Sequence, residues 1–397
     1  MKSERVNNQT VNDKPRILLG VTADISLSLM RGMPAYLVSQ GWDVHVVTSP
    51  GERLSQLAEL PGVTTHSLAM ERNPSPVKDL IALIRWVSLL KSVRPDVISV
   101  GTPKAGLLGS VAGRITRVPK RVYHLRGLRF ETATGIQFKV LTFLEKVTSA
   151  AATHVLSVSH SMRDKFVAMK LTPAQKAVVI GAGSSNGVQL EEFAATLFGA
   201  AEIAKLRDSL QIQDGIPVVG FVGRLTEDKG LIVLAKARRL LSDWGIDYQL
   251  LVVGGFDDSD GERILAAINV FGRPAIVTGA VPKPAVYYRL MDVFCLPTLR
   301  EGFPNVTLEA SASSLPTVTT DATGAIDSVV DGVTGVLTRS GDPVSLAEGL
   351  MRLVNDVGTR VSMGEQALKR VKADFAREHV WKMLGEFYSL ETASSER

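Results

Sequence analysis

Two cations and two carboxylates stand at spacings that could do chemistry. Arg224 and Lys229 fall in 218-VVGFVGRLTEDKG-230, and Glu301 and Glu309 fall in 300-REGFPNVTLEAS-311. In the first stretch a Val-rich run carries Gly220 and Gly223, which let backbone approach a ligand closely, and the two cations follow. Cations on a loop after a strand suit a diphosphate, and an arginine binds two of its oxygens at once. A surface loop with two solvated charges fits the same spacing, and both readings stay open here. In the second stretch Gly302, Phe303, Pro304 and Asn305 form a turn between the two glutamates. Asn305 is placed to cap a helix, with Glu309 about one turn in. The free N–H groups of such a helix start attract an anion. Glu309, at the same end, can accept hydrogen bonds from neutral hydroxyls such as those of a ribose. Glu301, before the turn, faces whatever lies beyond the phosphate. A helix dipole explains Glu309 alone and exposure explains Glu301 alone, but neither explains both with this turn.

The elements that must position these residues are short apolar runs alternating with helical patterns. Strands are expected at 16–22, 43–49, 97–101, 121–125 and 154–159, and again at 217–223, 248–254, 275–279, 292–297 and 316–320. Each is brief, rich in Val, Ile and Leu and nearly continuous, as parallel strands buried on both faces are. Helices are expected around 27–40, 77–92, 135–150, 229–243, 303–314 and 361–390. Strands alternating with helices twice over predict an α/β protein of two Rossmann-like α/β/α domains facing a central cleft. The divisions expected are a first domain at 1–195, a second at 196–375 and a terminal helix at 376–397 packing back on the first. Ligands in such sheets bind beyond the carboxyl ends of the strands, where Arg224, Lys229 and Glu301 fall.

The chain of 397 residues exceeds one typical core, in keeping with two domains. The single cysteine, Cys295, permits no intramolecular disulfide and fits a reducing, cytoplasmic compartment. No uncharged apolar run is long enough to span a membrane, and the polar start lacks a signal core. The net charge of +5 is unevenly spread. Residues 1–195 hold 24 Lys and Arg against 14 Asp and Glu, and the remainder holds 21 against 26. A basic first half implies an anionic partner: a phosphate, a membrane surface or a nucleic acid. Nucleic acid is the weakest of these, because few aromatics other than Tyr123 and Phe130 interleave the cations.

The motif E-G-F-P-N-V-x-L-E-A, preceded about seventy-five residues upstream by G-R-L-x-x-x-K-G, resembles the retaining glycosyltransferases of the GT-B fold, family 4. The stretch 186-NGV-188 is similar to that family's interdomain region, and the likeness runs over roughly 15–390. It is closest in kind to capsule and exopolysaccharide transferases that use UDP-sugars. The resemblance implies that Arg224 and Lys229 bind the donor diphosphate and that Glu309 binds the nucleotide ribose. It places Glu301 near the donor sugar hydroxyls. Backbone around Gly302, Phe303, Asn305 and Val306 would hold sugar and phosphate, with Gly223 close by and the base near Val281. It implies retention, with the departing phosphate helping to deprotonate the acceptor. Arg224, Lys229 and the helix start would stabilise the leaving group with no metal and no other cofactor. The pair Asp258 and Asp260 resembles the D-x-D metal signature of the other glycosyltransferase fold, but is read as a solvated loop because the cations already supply positive charge.

The first domain is expected to hold the acceptor. From Pro103 to Phe130 there are seven cations and no acid. Arg126 and Arg129 could grip an acceptor diphosphate, and a solubilising basic face is the plainer reading. Together with apolar neighbours they fit a polyprenyl-diphosphate-linked acceptor at an anionic membrane. Relatives often carry His-Gly after this strand, with the histidine near the transferred sugar; here the position reads Arg126-Gly127, and His124 lies two residues earlier. Strand alternation puts His124 and Arg126 on one side, so either could take that catalytic place, while a satisfied core histidine explains His124 equally. The loop 22–32 lacks the paired glycines of many relatives. The helix at 77–93 either packs on the sheet or sets Trp86 at a membrane boundary. Two other functions fit the same elements: a nucleotide-sugar epimerase, active without acceptor, and a non-catalytic nucleotide-sugar-binding subunit.

Overall fold

The computed structural model describes residues 14–71, 75–256 and 260–389. The side chains of 257–260, with the D-x-D pair, lie outside the described residues. The chain divides into two compact units, one of residues 1–124, 147–154 and 388–397 and one of residues 125–146 and 155–387.

The first unit is built on parallel strands β1 (Arg16–Gly20), β2 (Asp43–Thr48), β3 (Val63–Ser67), β4 (Val97–Gly101) and β5 (Lys120–Leu125), in the order β3-β2-β1-β4-β5. All five residues of β4 are buried, as its unbroken apolar run predicts. Against them packs the helix Pro76–Val93, whose Trp86 is fully buried among Leu18, Val47, Ile98 and Val100. Trp86 is therefore a core residue and does not sit at a membrane boundary. Gly20 and Gly109 leave room for it, since a methyl group on Gly20 would come within 2.8 Å of its ring.

The second unit holds β6 (His154–Ser157), paired in parallel with β7 (Ala177–Val179). It also holds a six-stranded parallel sheet. Its strands are β8 (Val218–Val222), β9 (Gln249–Val253), β10 (Ile276–Val277), β11 (Val293–Leu296), β12 (Thr317–Thr320) and β13 (Gly335–Thr338). They run in the order β10-β9-β8-β11-β12-β13. The reversal between β8 and β11 puts the loops after those two strands side by side at the carboxyl edge, the usual ligand position in such sheets.

Two expected helices are broken. The pattern at 27–40 splits at Gly32 (φ 83°) into a 3-10 turn, Asp24–Met30, and a short helix, Met33–Ser39. The pattern at 361–390 is two helices, Val357–Asp374 and Arg377–Tyr388. Between them Phe375 O accepts from Val188 N and Arg377 N donates to Val188 O, so Ala376 is held in a single parallel bridge to Val188.

Candidate active site

After β8 the chain enters an exposed loop with Arg224 and then a 3-10 turn, Glu227–Lys229. Gly230 follows at φ 72°, where a Cβ would lie 1.7 Å from Pro297 O, so the turn is pressed against the end of β11. Asp228 clamps the two loops together. Its carbonyl accepts from Leu299 N (2.9 Å) and from Thr298 Oγ1 (3.0 Å). Its carboxylate accepts from Thr226 Oγ1 at 2.6 Å and pairs with Arg300 at 3.3 Å. Burial pushes this carboxyl up, but the Thr226 hydrogen bond and the Lys229, Arg300 and Arg224 charges outweigh it and hold it below the usual range.

This clamp delivers Lys229 to Glu301: Nζ donates to Oε1 at 2.5 Å, with the side chains 19% and 12% exposed. Glu301 N donates in turn to Thr323 O at 3.0 Å. At Gly302 the backbone passes so close to Arg126 that a Cβ would lie 2.0 Å from its carbonyl oxygen. Phe303 packs on Phe375 with ring centres 5.4 Å apart.

The helix after the turn runs Asn305–Ala312. Pro304, not Asn305, occupies the cap position, and no side chain caps the helix. Asn305 is already helical and exposed. The helix start thus leaves backbone N–H groups uncapped by side chains, the feature an anion site needs. Glu309 lies one turn in and accepts from Tyr288 Oη–H at 2.8 Å. Tyr288 is fully buried, with Phe193 and Phe294 rings each 5.8 Å away. Burial pushes the Glu309 carboxyl up; the Tyr288 hydrogen bond and Arg377 oppose this, and Glu192 adds to it. Burial and the Glu309 charge likewise push the Tyr288 hydroxyl well up, so it stays a donor. The Val306 carbonyl takes a longer contact from Tyr288 Oη, 3.4 Å. Val281 is half-buried beyond Gly279, whose carbonyl accepts from Gly254 N at 3.0 Å.

Sequence reasoning missed Asp228, Arg300 and Tyr288. Asp228 stands in the same T-E-D-K run as Lys229, but its partners other than Thr226 come from a loop about seventy residues on. Tyr288 carries no motif; its side chain matters only because the fold buries it against Glu309.

Arg126 begins the segment after β5, and its Nη1 donates to Ser185 Oγ. Arg129 is exposed in the 3-10 turn Arg129–Thr132. His124 is 3% exposed within β5. Much of the basic stretch is committed elsewhere. Lys104 pairs with Asp79 at 2.6 Å. Arg114 donates to Ala150 O, Lys120 to Ser389 O, and Arg121 to Ala151 O and Val118 O. These cations satisfy carbonyls and a carboxylate, while Arg114, Arg117 and Arg129 are exposed. Ser161, Lys165 and Asp327 form a further polar cluster: Ser161 Oγ donates to Asp327, and Lys165 pairs with Glu131 at 2.5 Å. Among the described residues no His, Cys, Asp and Glu cluster could hold a metal ion.

Residues 29–183 match the model of a glycosyl transferase 4-like domain, and residues 216–356 match that of glycosyl transferases group 1. The capsular polysaccharide biosynthesis glycosyltransferase CapM of Staphylococcus aureus is 35% identical over 384 residues, 95% of this chain and 97% of that protein. The UDP-Gal:alpha-D-GlcNAc-diphosphoundecaprenol alpha-1,3-galactosyltransferase of Escherichia coli is 28% identical over 297 residues, 72% of this chain and 73% of that one. The Anabaena Alr3699/HepE structure in complex with UDP-glucose superposes with a TM-score of 0.74 at 20% identity, over 94% of this chain and 98% of that one. With two parallel α/β sheets and clamped loops at the carboxyl ends of β8 and β11, the chain belongs to the group 1, family 4 glycosyltransferases of the GT-B fold.

Proposed function

We propose that this protein is a retaining, metal-independent glycosyltransferase. It moves a sugar from a UDP-sugar to a polyprenyl-diphosphate-linked saccharide, on the cytoplasmic side of the membrane, in capsule or envelope glycan synthesis. The observation that carries this reading is the Lys229–Glu301 pair at 2.5 Å, beside a helix start with no side-chain cap. One cation, one carboxylate and free amides suit a diphosphate joined to a polyol. Arg224 and Lys229 take the diphosphate, Glu309 the ribose and Glu301 the sugar hydroxyls. Gly223 and the backbone of Gly302, Phe303, Asn305 and Val306 line the sugar and phosphate, and Val281 flanks the base.

In the reaction the sugar C1–O bond to the β-phosphate breaks and a C1–O bond to the acceptor hydroxyl forms on the same face. The acceptor proton passes to the departing phosphate oxygen. Charge developing on that phosphate meets Arg224, Lys229 and the helix amides, held in place beforehand, which is where electrostatic catalysis is strongest. Arg126 and Arg129 grip the acceptor diphosphate, with His124 or Arg126 lying near the transferred sugar. The named activities of the S. aureus and E. coli relatives support the glycan and the lipid diphosphate, and the UDP-glucose held by the Anabaena protein supports the donor.

The test is transfer from a panel of UDP-sugars to polyprenyl-diphosphate saccharides in EDTA, with the product anomer read by NMR. Retained configuration without metal is expected, and Arg126→Ala with Arg129→Ala should harm acceptor use more than UDP binding. An inverted product, an absolute metal requirement or equal loss of both functions would overturn the corresponding part. Donor isomerised without acceptor would make the protein an epimerase; binding with no turnover would make it a non-catalytic subunit.

A further inference from the structure

The helix Gly135–Ala151 turns Phe138 inward onto Phe130, with polar groups beside it, and carries a second apolar stripe outward. On the face it turns inward lie Glu145, Thr148 and Ser149, at 7%, 3% and 1% exposure. On the opposite face lie Ile136, Val140 and Phe143, exposed by 78%, 49% and 64%. Their spacing, i, i+4 and i+7, makes one continuous stripe, and at 100° per residue that stripe stands about 180° from Glu145. A helix on a water-soluble protein ordinarily keeps such a stripe turned to the core.

The charges around the stripe have one sign. Lys139 and Lys146, also seven residues apart, run along one flank and are exposed, and Arg129 is exposed just upstream. The helix has one acid, the buried Glu145, and Glu131 before it is held by Lys165. The helix Pro76–Val93 also exposes apolar side chains, Val77, Leu80, Ile81 and Ile84. There, however, Lys78 is tied to Glu71, and Asp79 adds a carboxylate.

We infer that the outer face of residues 135–146 is a docking surface for an anionic phospholipid bilayer. It lies along the interface, with Ile136, Val140 and Phe143 entering the headgroup–acyl boundary and Lys139 and Lys146 on the lipid phosphates. Charge complementarity selects this occupant: cations without an exposed acid on the helix suit an anionic sheet, whereas a second copy would set like charges opposite each other. Helix length agrees, since among the described residues no helix is long and apolar enough to cross a membrane. The inference rests on the proposed lipid-linked acceptor, which it would bring within reach of the enzyme.

The experiment is co-sedimentation of the full chain with phosphatidylcholine vesicles that contain about a third phosphatidylglycerol, against phosphatidylcholine alone. Calorimetric UDP titration of the same samples reports whether the nucleotide site is intact. Wild type is expected to bind the anionic vesicles and to release in high salt. Replacing Ile136, Val140 and Phe143 together by serine should lower partitioning about tenfold or more. Lys139→Ala and Lys146→Ala should each lower it about fivefold at low salt. UDP binding should be unchanged in all three. The inference is overturned if wild type ignores anionic vesicles, or if the triple serine variant binds them as well as wild type does. It is also overturned if that variant changes a dimer into a monomer, since a second copy would then cover the stripe. Loss of UDP binding in wild type would instead count against the transferase reading and leave the vesicle result standing.

Discussion

Glu301→Gln is expected to tighten UDP binding while slowing sugar transfer. Without substrate, Lys229 is already committed: its Nζ lies 2.5 Å from Glu301 Oε1, and both side chains are largely shielded from water. At an effective dielectric of about 20 the gross attraction is roughly 7 kcal/mol. Dehydration of the two charges offsets most of that and leaves about 1–2 kcal/mol net. A diphosphate that recruits Lys229 must first overcome this sum. Glutamine keeps the shape and a carbonyl acceptor but gives up the charge. At about 1.4 kcal/mol per tenfold, UDP should then bind about five- to thirtyfold tighter. Turnover should fall about ten- to a hundredfold, as expected for losing a charged hydrogen bond to the donor sugar in the transition state. Calorimetric titration and steady-state turnover on one preparation, with a thermal melt to verify folding, separate the two effects. A folded Glu301→Gln protein that bound UDP tenfold more weakly would refute the competition and make Glu301 part of the nucleotide's own support.

Three further outcomes follow from the same geometry. Burial holds the Glu309 carboxyl above its usual range, so wild-type UDP affinity should fall with decreasing pH earlier than an ordinary carboxylate would dictate, and Glu309→Gln should flatten that profile. A raised folded-state pKa means the folded protein binds more protons, so stability falls as pH rises through that window. Glu309→Gln should therefore melt higher at neutral pH in a thermal melt, even as it weakens UDP binding. Asp228→Asn should loosen Lys229 and Glu301 together, with KM for donor rising and kcat falling by about tenfold each while the fold is kept, as circular dichroism can verify. Gly302→Ala places a methyl group 2.0 Å from Arg126 O, so backbone must move; we expect turnover to drop about a hundredfold, read in the transfer assay beside unchanged secondary structure.

The ten strands expected from apolar runs are all present, because a parallel strand buried on both faces must be written in Val, Ile and Leu. Three more were not legible. β3 reads Val-Thr-Thr-His-Ser and edges its sheet with four of its five positions polar; β7 has three residues; β13 begins with glycine and edges the other sheet. Helix breaks at Gly32 and Phe375 were hidden for different reasons. A helical period survives one left-handed glycine, and the break at 375–376 answers to Val188, far away in the chain. At the candidate site, the loops after β8 and β11 that lead to Lys229, Glu301 and Glu309 were legible, because charges beside glycine and proline follow apolar runs there. The clamp through Asp228 and the support from Tyr288 were not, because each depends on a partner that only the folded sheet brings near. The partners within the basic stretch were not legible either, since a count of charges cannot show that Arg114, Lys120 and Arg121 donate to backbone carbonyls.

The most direct measurement is calorimetric titration of the wild-type protein with UDP, GDP, ADP and dTDP in EDTA, repeated on Lys229→Ala and Glu309→Gln. The account predicts metal-free binding that prefers UDP and weakens about tenfold or more in both variants. UDP affinity that survives both substitutions intact would contradict it, because the nucleotide would then be held somewhere other than the loops after β8 and β11.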